Sequence, residues 1–299
     1  MRMLTACLAA LLCLLAAGAP AQIDLKQRDA APFRIHYEAA YEGLAQDTAH
    51  TLHGALADFG AYLDVGDTPI DVVIATSPQI FARFAGARFD VLQVNGIART
   101  EGDKALIMVK GPGLRTPGSD YNGTLRHELV HVMLARSTDV STLPRWLNEG
   151  LAMMLANEYY WQSRWRMAQA LARRTLIPYD RIDAQLRQPG HGVIFSDAYA
   201  QSLAMTQFLR DRYGEEALWS IVRDIGGGET FPRALKRRTG LTEAGFFGDF
   251  ESSLWYLGIF GVITGGGVFA LGALLLVLAY LLKAWRNRRT YARLRDEDA

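Results

Sequence analysis

The chain has 299 residues, 50% of them hydrophobic and 21% charged, with a formal net charge of +1 at pH 7. Ample apolar content with little net charge excludes intrinsic disorder for the bulk of it. The near-zero balance also removes a broad electrostatic case for nucleic acid, which needs a basic footprint in the total or in one dense patch.

The elements follow in chain order. Residues 1–21 read as a signal peptide: Arg2 provides the positive n-region, residues 4–15 form the apolar run, and Ala19-Pro20-Ala21 has the small-x-small pattern of a cleavage site. An uncleaved signal anchor is the alternative. Cys7 and Cys13 both lie in this segment, so the mature chain from Gln22 has no disulfide, thiolate nucleophile or cysteine metal ligand. Residues 33–37 alternate like a strand, and residues 41–63 place Leu44, Leu52, Leu56, Phe59 and Leu63 at helical spacing. Strands follow at 69–74, 91–98 and 105–110, with a helix at 78–84 and turn chemistry at Glu101-Gly102-Asp103. From residue 122 the pattern turns helical, over 124–136, 145–160, 163–174, 197–213, 215–225 and 231–238, with Gly214 and Gly240 as stops. This is an α+β chain, a mixed N-terminal lobe ahead of a helical C-terminal one.

Residues 254–282 carry no charge and exceed the roughly 20 residues that cross a hydrocarbon core, which predicts one transmembrane helix. Lys283, Arg286, Arg288, Arg289, Arg293 and Arg295 follow it, whereas Asp249 and Glu251 precede it. The positive-inside bias then makes residues 283–299 a basic cytoplasmic tail and sets residues 22–253 outside the cytoplasm, periplasmic in a bacterium. Gly261 and Gly265 form a small-xxx-small pair, which by itself assigns no dimer. The oligomeric state stays open.

The first helix of the second half contains His127-Glu128-Leu129-Val130-His131. Histidines at i and i+4 share a helix face, so both imidazoles reach one zinc ion, while Glu128, rotated by about 100°, can meet a water there. Catalytic zinc usually has three protein ligands. Eighteen residues after His131 comes Glu149, within Leu143-Pro144-Arg145-Trp146-Leu147-Asn148-Glu149-Gly150-Leu151-Ala152. A turn through 137–143 and a returning helix from Pro144 would bring Glu149 alongside the histidines.

HELVH followed by PRWLNEGLA resembles the gluzincin zinc metallopeptidases, most closely the thermolysin-like, peptidase-MA-type domains of exported bacterial proteins. The resemblance implies a zincin-like fold with the active-site cleft between the two lobes. It implies His127, His131 and Glu149 as ligands of Zn2+ and Glu128 as the catalytic acid/base. The run Asp197-Ala198-Tyr199-Ala200-Gln201-Ser202 resembles a downstream helix of these domains that offers a tyrosine to the reaction, a role that falls on Tyr199; His191, in a Gly-rich loop, is its rival. Two departures stand out. Thermolysin-type sites carry an acidic residue four after the ligand glutamate where this chain has Met153, leaving Asp139 to support a histidine, and the aminopeptidase G-x-M-E-N motif is missing.

The expected activity is hydrolysis of peptide bonds in a protein or peptide substrate by a membrane-anchored, extracytoplasmic zinc metallopeptidase. An extended substrate would add to an open strand edge at 105–110, or at 96–98. Two alternatives remain: a zinc-binding scaffold of the same fold without turnover, and a zinc hydrolase acting on another bond. Endopeptidase and aminopeptidase are not distinguished.

Overall fold

The computed structural model describes residues 24–85, 94–116, 119–157, 160–187, 193–254, 272 and 275–283. The chain divides into two compact units, residues 1–54 with 67–125 and residues 55–66 with 126–299.

The first unit is built on strands β1 (Lys26–Ala30), β2 (Phe33–Tyr37), β3 (Ile70–Ala75), β4 (Gly96–Glu101) and β5 (Lys104–Lys110). They form one sheet in the order β1-β2-β3-β5-β4. β2, β3 and β5 are parallel neighbours, and β1 and β4 close the two sides antiparallel. Helix α1 (Glu42–Phe59) joins β2 to β3, and α2 (Pro78–Ala85) follows β3. Register places Phe33 beside Ile70, and Ile35 beside Val72, which in turn faces Ile107. All are fully or almost fully buried. The opposite face, with Val73, Ala75 and Met108, packs on Ile80, Phe81 and Ala85 of α2. Because β3 is covered on both faces, it reads as a continuous apolar run rather than an alternation.

Three features differ from expectation. β1 has the sequence KQRDA and is largely exposed, so hydrophobic periodicity carries no sign of it; pairing with β2 makes it a strand. The buried stripe of α1 is Ala45, Thr48, Leu52, Ala55 and Phe59, while Leu44 and Leu56 are only half-buried. Finally, the strand at 105–110 offers no open edge. β5 is hydrogen-bonded to β3 on one side and to β4 on the other. The hairpin turns at Gly102 (φ +57°), a left-handed position suited to glycine, and folds β4 outward, so the edge belongs to Gly96-Ile97-Ala98. Residues 91–93 lie outside the described residues.

The second unit takes in most of helix α3 (Tyr121–Ser137) and all of α4 (Arg145–Ala156), α5 (Tyr160–Arg173), α6 (Tyr179–Arg187), α7 (Val193–Tyr213), α8 (Glu215–Gly226), α9 (Phe231–Thr239) and α10 (Glu243–Ser253). α3 is apolar around most of its circumference: Leu129, Val130, Val132, Met133 and Leu134 are all inaccessible, the mark of a helix buried in a core. α4 stops at Ala156 rather than near residue 160, because Asn157 takes the left-handed conformation (φ 54°) and turns its N–H back onto the carbonyls of Met153 and Met154. α6 and α10 escape the periodicity reading. The first is nine residues long with only Ile182 and Leu186 buried, and the second carries two glycines yet seats Phe246 and Phe250 in the core. Trp146 of α4, 1% exposed, stacks on Phe246 with centroids 5.9 Å apart and meets Phe231 edge-on at 5.8 Å. Burying side chains of this size contributes about 1.5 to 3 kcal/mol each.

The expected signal peptide, residues 1–21, and the expected basic tail, 283–299, apart from Lys283, lie outside the described residues, as does most of the expected span at 254–282. Among the described residues no helix is long and apolar enough to cross a membrane. Residues 275–283 are helical, with Leu276 73% and Tyr280 70% exposed.

Candidate metal centre

α3 and α4 supply the site. His127 and His131 stand one turn apart on α3, with ring centroids 4.8 Å apart and their Nε2 atoms converging at 3.1 Å. Glu149 enters from α4, its Oε2 3.6 Å from His127 Nε2 and 3.4 Å from His131 Nε2. The three side chains are 11%, 18% and 7% exposed, too enclosed for a chance surface cluster yet open on the side of His131.

Glu149 is delivered by two devices on α4. Pro144 precedes the helix and has no side chain to cap it. Instead the Asp183 carboxylate on α6 accepts from the backbone N–H groups of Arg145 and Trp146, both at 2.9 Å, which satisfies two donors that the first turn leaves without partners. One residue past Glu149, Gly150 lets α4 close on α7. A Cβ built there would meet the Thr206 hydroxyl and lie 2.5 Å from the Ser202 carbonyl oxygen. Only glycine permits this approach.

The residues fit a zinc ion. Tetrahedral zinc with bonds of about 2.0 to 2.1 Å holds its ligand atoms about 3.3 Å apart. The edges of the Nε2, Nε2, Oε2 triangle are 3.1, 3.4 and 3.6 Å. The tautomer agrees as well. His131 Nδ1 lies 2.8 Å from Asn148 Oδ1, an oxygen that only accepts, so Nδ1 carries the proton and Nε2 keeps its lone pair for a metal. Burial of the Glu149 carboxyl raises its pKa, but in the metal-free site the facing imidazoles, when protonated, outweigh this and hold it well below the usual carboxylate range, a place that a bound cation takes over once Nε2 gives up its proton. A buried anion at ordinary pH, aimed at two imidazole nitrogens, is a site made for a cation. His127, His131 and Glu149 are the group of metal-ligating side chains found among the described residues.

Glu128 follows His127 on α3 and is 8% exposed. Tyr199 is half-buried on α7, one turn before Ser202, the residue whose carbonyl meets Gly150. His191 lies outside the described residues. Asp139 does not support a histidine: its carboxylate accepts from the Ser141 N–H at 2.9 Å and closes the turn after α3. Asn148 takes that place. Its neighbour Arg145 sets Nη2 3.5 Å from Glu149 Oε1. Both residues flank Glu149 in the sequence, at one and four positions before it; no fixed spacing marks Asp183, which reaches the site from a separate helix.

A mixed sheet unit, a helical unit, and a His, His, Glu triangle raised from two helices define a zinc metallopeptidase-like class of protein with a gluzincin-type ligand arrangement. The family model of the Peptidase MA superfamily matches residues 59–255. The chain belongs to the Peptidase MA superfamily, whose members are typically metal-dependent. A search of curated proteins finds no match.

Proposed function

We propose that the chain is a membrane-anchored zinc metallopeptidase that hydrolyses peptide bonds outside the cytoplasm. The observation that carries the catalytic part is the convergence of His127 Nε2, His131 Nε2 and Glu149 Oε2 at zinc-ligand spacing in a chain of this superfamily. Zinc held there supplies Lewis acidity, polarising a carbonyl and making water acidic near neutral pH. Glu128 takes the proton of the attacking water and delivers it to the leaving amine nitrogen as the C–O bond forms and the C–N bond breaks. Tyr199 donates a hydrogen bond to the carbonyl oxygen as negative charge gathers on it, a contribution of about 2.7 to 4 kcal/mol in comparable sites. Asn148 and Arg145 hold His131 and Glu149 in register for these steps.

The anchoring part is supported by the uncharged stretch 254–282, the basic residues after it, and the apolar surface that helical residues 275–283 expose.

The test uses the full chain in detergent micelles with zinc, a diverse peptide mixture, and mass spectrometry of the products, with Glu128→Gln as the blank. Cleavage by the wild type alone, at equal zinc content, is the expected result, and internal or terminal cuts then separate endopeptidase from aminopeptidase. Equal products from both proteins would refute the role of Glu128. Zinc bound by both with no products from either would leave the zinc-binding scaffold as the function.

A further inference from the structure

Asp183, which caps α4, shares one face of α6 with a second polar contact. Tyr179 precedes it by four residues, one helical turn, and donates its hydroxyl to Glu243 Oε1 at 2.5 Å. Glu243 opens α10 but is not needed to cap it, because the Thr242 hydroxyl already accepts from the Gly245 N–H at 3.2 Å. α6 is thus pinned at one end to α10 through Tyr179 and at the other to the first turn of α4, where Asp183 holds the Arg145 and Trp146 amides at 2.9 Å. Both are charge-assisted hydrogen bonds, roughly twice as strong as neutral ones. The helix has little else to fix it. It is nine residues long, shorter than the roughly 12 to 15 that an isolated helix needs, and it buries two apolar side chains, Ile182 and Leu186.

The place of α4 matters most at Glu149, one turn after Arg145. Its Oε2 stands 3.6 and 3.4 Å from the two imidazole nitrogens, and a metal site tolerates departures of only about 0.2 Å in its bonds. We propose that Tyr179 and Glu243 are positioning residues of the metal centre. Their hydrogen bond sets α6 as a strut, and the strut holds α4, and with it Glu149, in register with His127 and His131. Both residues act through Asp183 and α4. The inference rests on the reading of His127, His131 and Glu149 as the zinc ligands.

The experiment uses the full chain in detergent micelles and two readouts. Competition with a chelator gives zinc affinity, and hydrogen exchange of the metal-free protein, followed by mass spectrometry, gives the protection of the first turn of α4. Tyr179→Phe keeps the ring and removes the hydroxyl, Glu243→Ala removes the acceptor, and Glu243→Gln keeps an acceptor oxygen without the charge. The first two are expected to lose roughly 10-fold in zinc affinity, the lower end of what outer partners of metal ligands contribute. Exchange should quicken at the start of α4 and stay unchanged along α3. Glu243→Gln should recover most of the affinity, which a role of the charge in the first turn of α10 would not allow. Tyr179→Phe and Glu243→Ala together should cost no more than either alone, because they break one bond. Glu243 is half-buried, and its two variants carry the test by themselves where Tyr179→Phe does not fold. Losses that add in the double variant, a Glu243→Gln protein as weak as Glu243→Ala, or quicker exchange spread evenly over the second unit would overturn the proposal. A wild type that binds no zinc refutes the metal reading and the strut together, whereas wild type and variants that bind zinc equally refute the strut alone.

Discussion

Arg145 and Glu149 stand one turn apart on α4, and the guanidinium meets Glu149 Oε1 at 3.5 Å, the carboxylate oxygen other than the one that faces the two imidazoles. The carboxylate is thereby divided, one oxygen for the histidine side and one for the arginine. A basic residue preceding an acidic one at this spacing is the less favourable order for a helix, so helix stability does not account for the pair. Arg145→Ala is therefore expected to lower zinc affinity by roughly 10-fold, as loss of an outer partner does, while Tm stays nearly unchanged; Arg145→Lys should recover part of it. Competition titration with a zinc chelator, beside thermal unfolding of the metal-free protein, measures both. A large fall in Tm with affinity intact would assign Arg145 to the fold instead.

Asn148 fixes the proton of His131 on Nδ1 across 2.8 Å. Its removal in Asn148→Ala frees the ring to rotate and to exchange tautomers, and the expected cost is roughly 10- to 100-fold in zinc affinity. Asn148→Asp keeps an acceptor oxygen and should restore most of it. Equal affinities for all three proteins, read in the same titration, would show that the packing around α3 orients the imidazole unaided.

Gly150 is where α4 touches α7, and there is no room for a methyl group between its Cα and the Ser202 carbonyl. Gly150→Ala should destabilise the protein by about 1 to 3 kcal/mol through overpacking. Because Glu149 is the adjacent residue, zinc affinity should fall with stability. Urea unfolding of the metal-free protein checks the first effect. An alanine variant as stable as the wild type would mean that α7 shifts freely.

Tyr121, at the start of α3, is buried, and burial pushes its hydroxyl up to about 12. Thr48 gives its own proton to the Leu44 carbonyl at 2.7 Å, so Tyr121 is the donor in the 2.8 Å bond between them. The folded state thus holds the tyrosine proton more tightly than the unfolded chain does. The resulting stability is fully present below pH 10.0, the ordinary value, and is lost as pH rises through about 12. Its size is about 2 to 3 kcal/mol. Tyr121→Phe should be less stable near neutrality by about 0.5 to 1.5 kcal/mol, the worth of one hydrogen bond, and should flatten the alkaline decline. Denaturant melts across this range decide it; an equally steep decline in the phenylalanine variant would move the effect to another group.

The sequence by itself determined the local order of the molecule. Period 2 and period 3.6 report burial of a single face, which is why β2, β3, α1 and the histidine-bearing helix were legible before any coordinates, and why Gly214 and Gly240 marked helix ends. It also determined the pairing of the two candidate ligands His127 and His131, since histidines at i and i+4 are brought together by the helix alone. Tertiary structure decided whatever depends on partners distant in the chain. β1 is a strand because β2 pairs with it, not because KQRDA favours one. β5 is internal because β4 folds back on its outer side, and no feature of residues 105–110 records that. The support of His131 passes to Asn148 rather than Asp139, because Asp139 is drawn into the turn that it closes. Asp183 is the clearest case: one of two carboxylates on a short helix far along the chain, it caps the helix that bears Glu149. Hydrogen bonds depend on position in space, and only packing of α6 against α4 brings that oxygen to those amides.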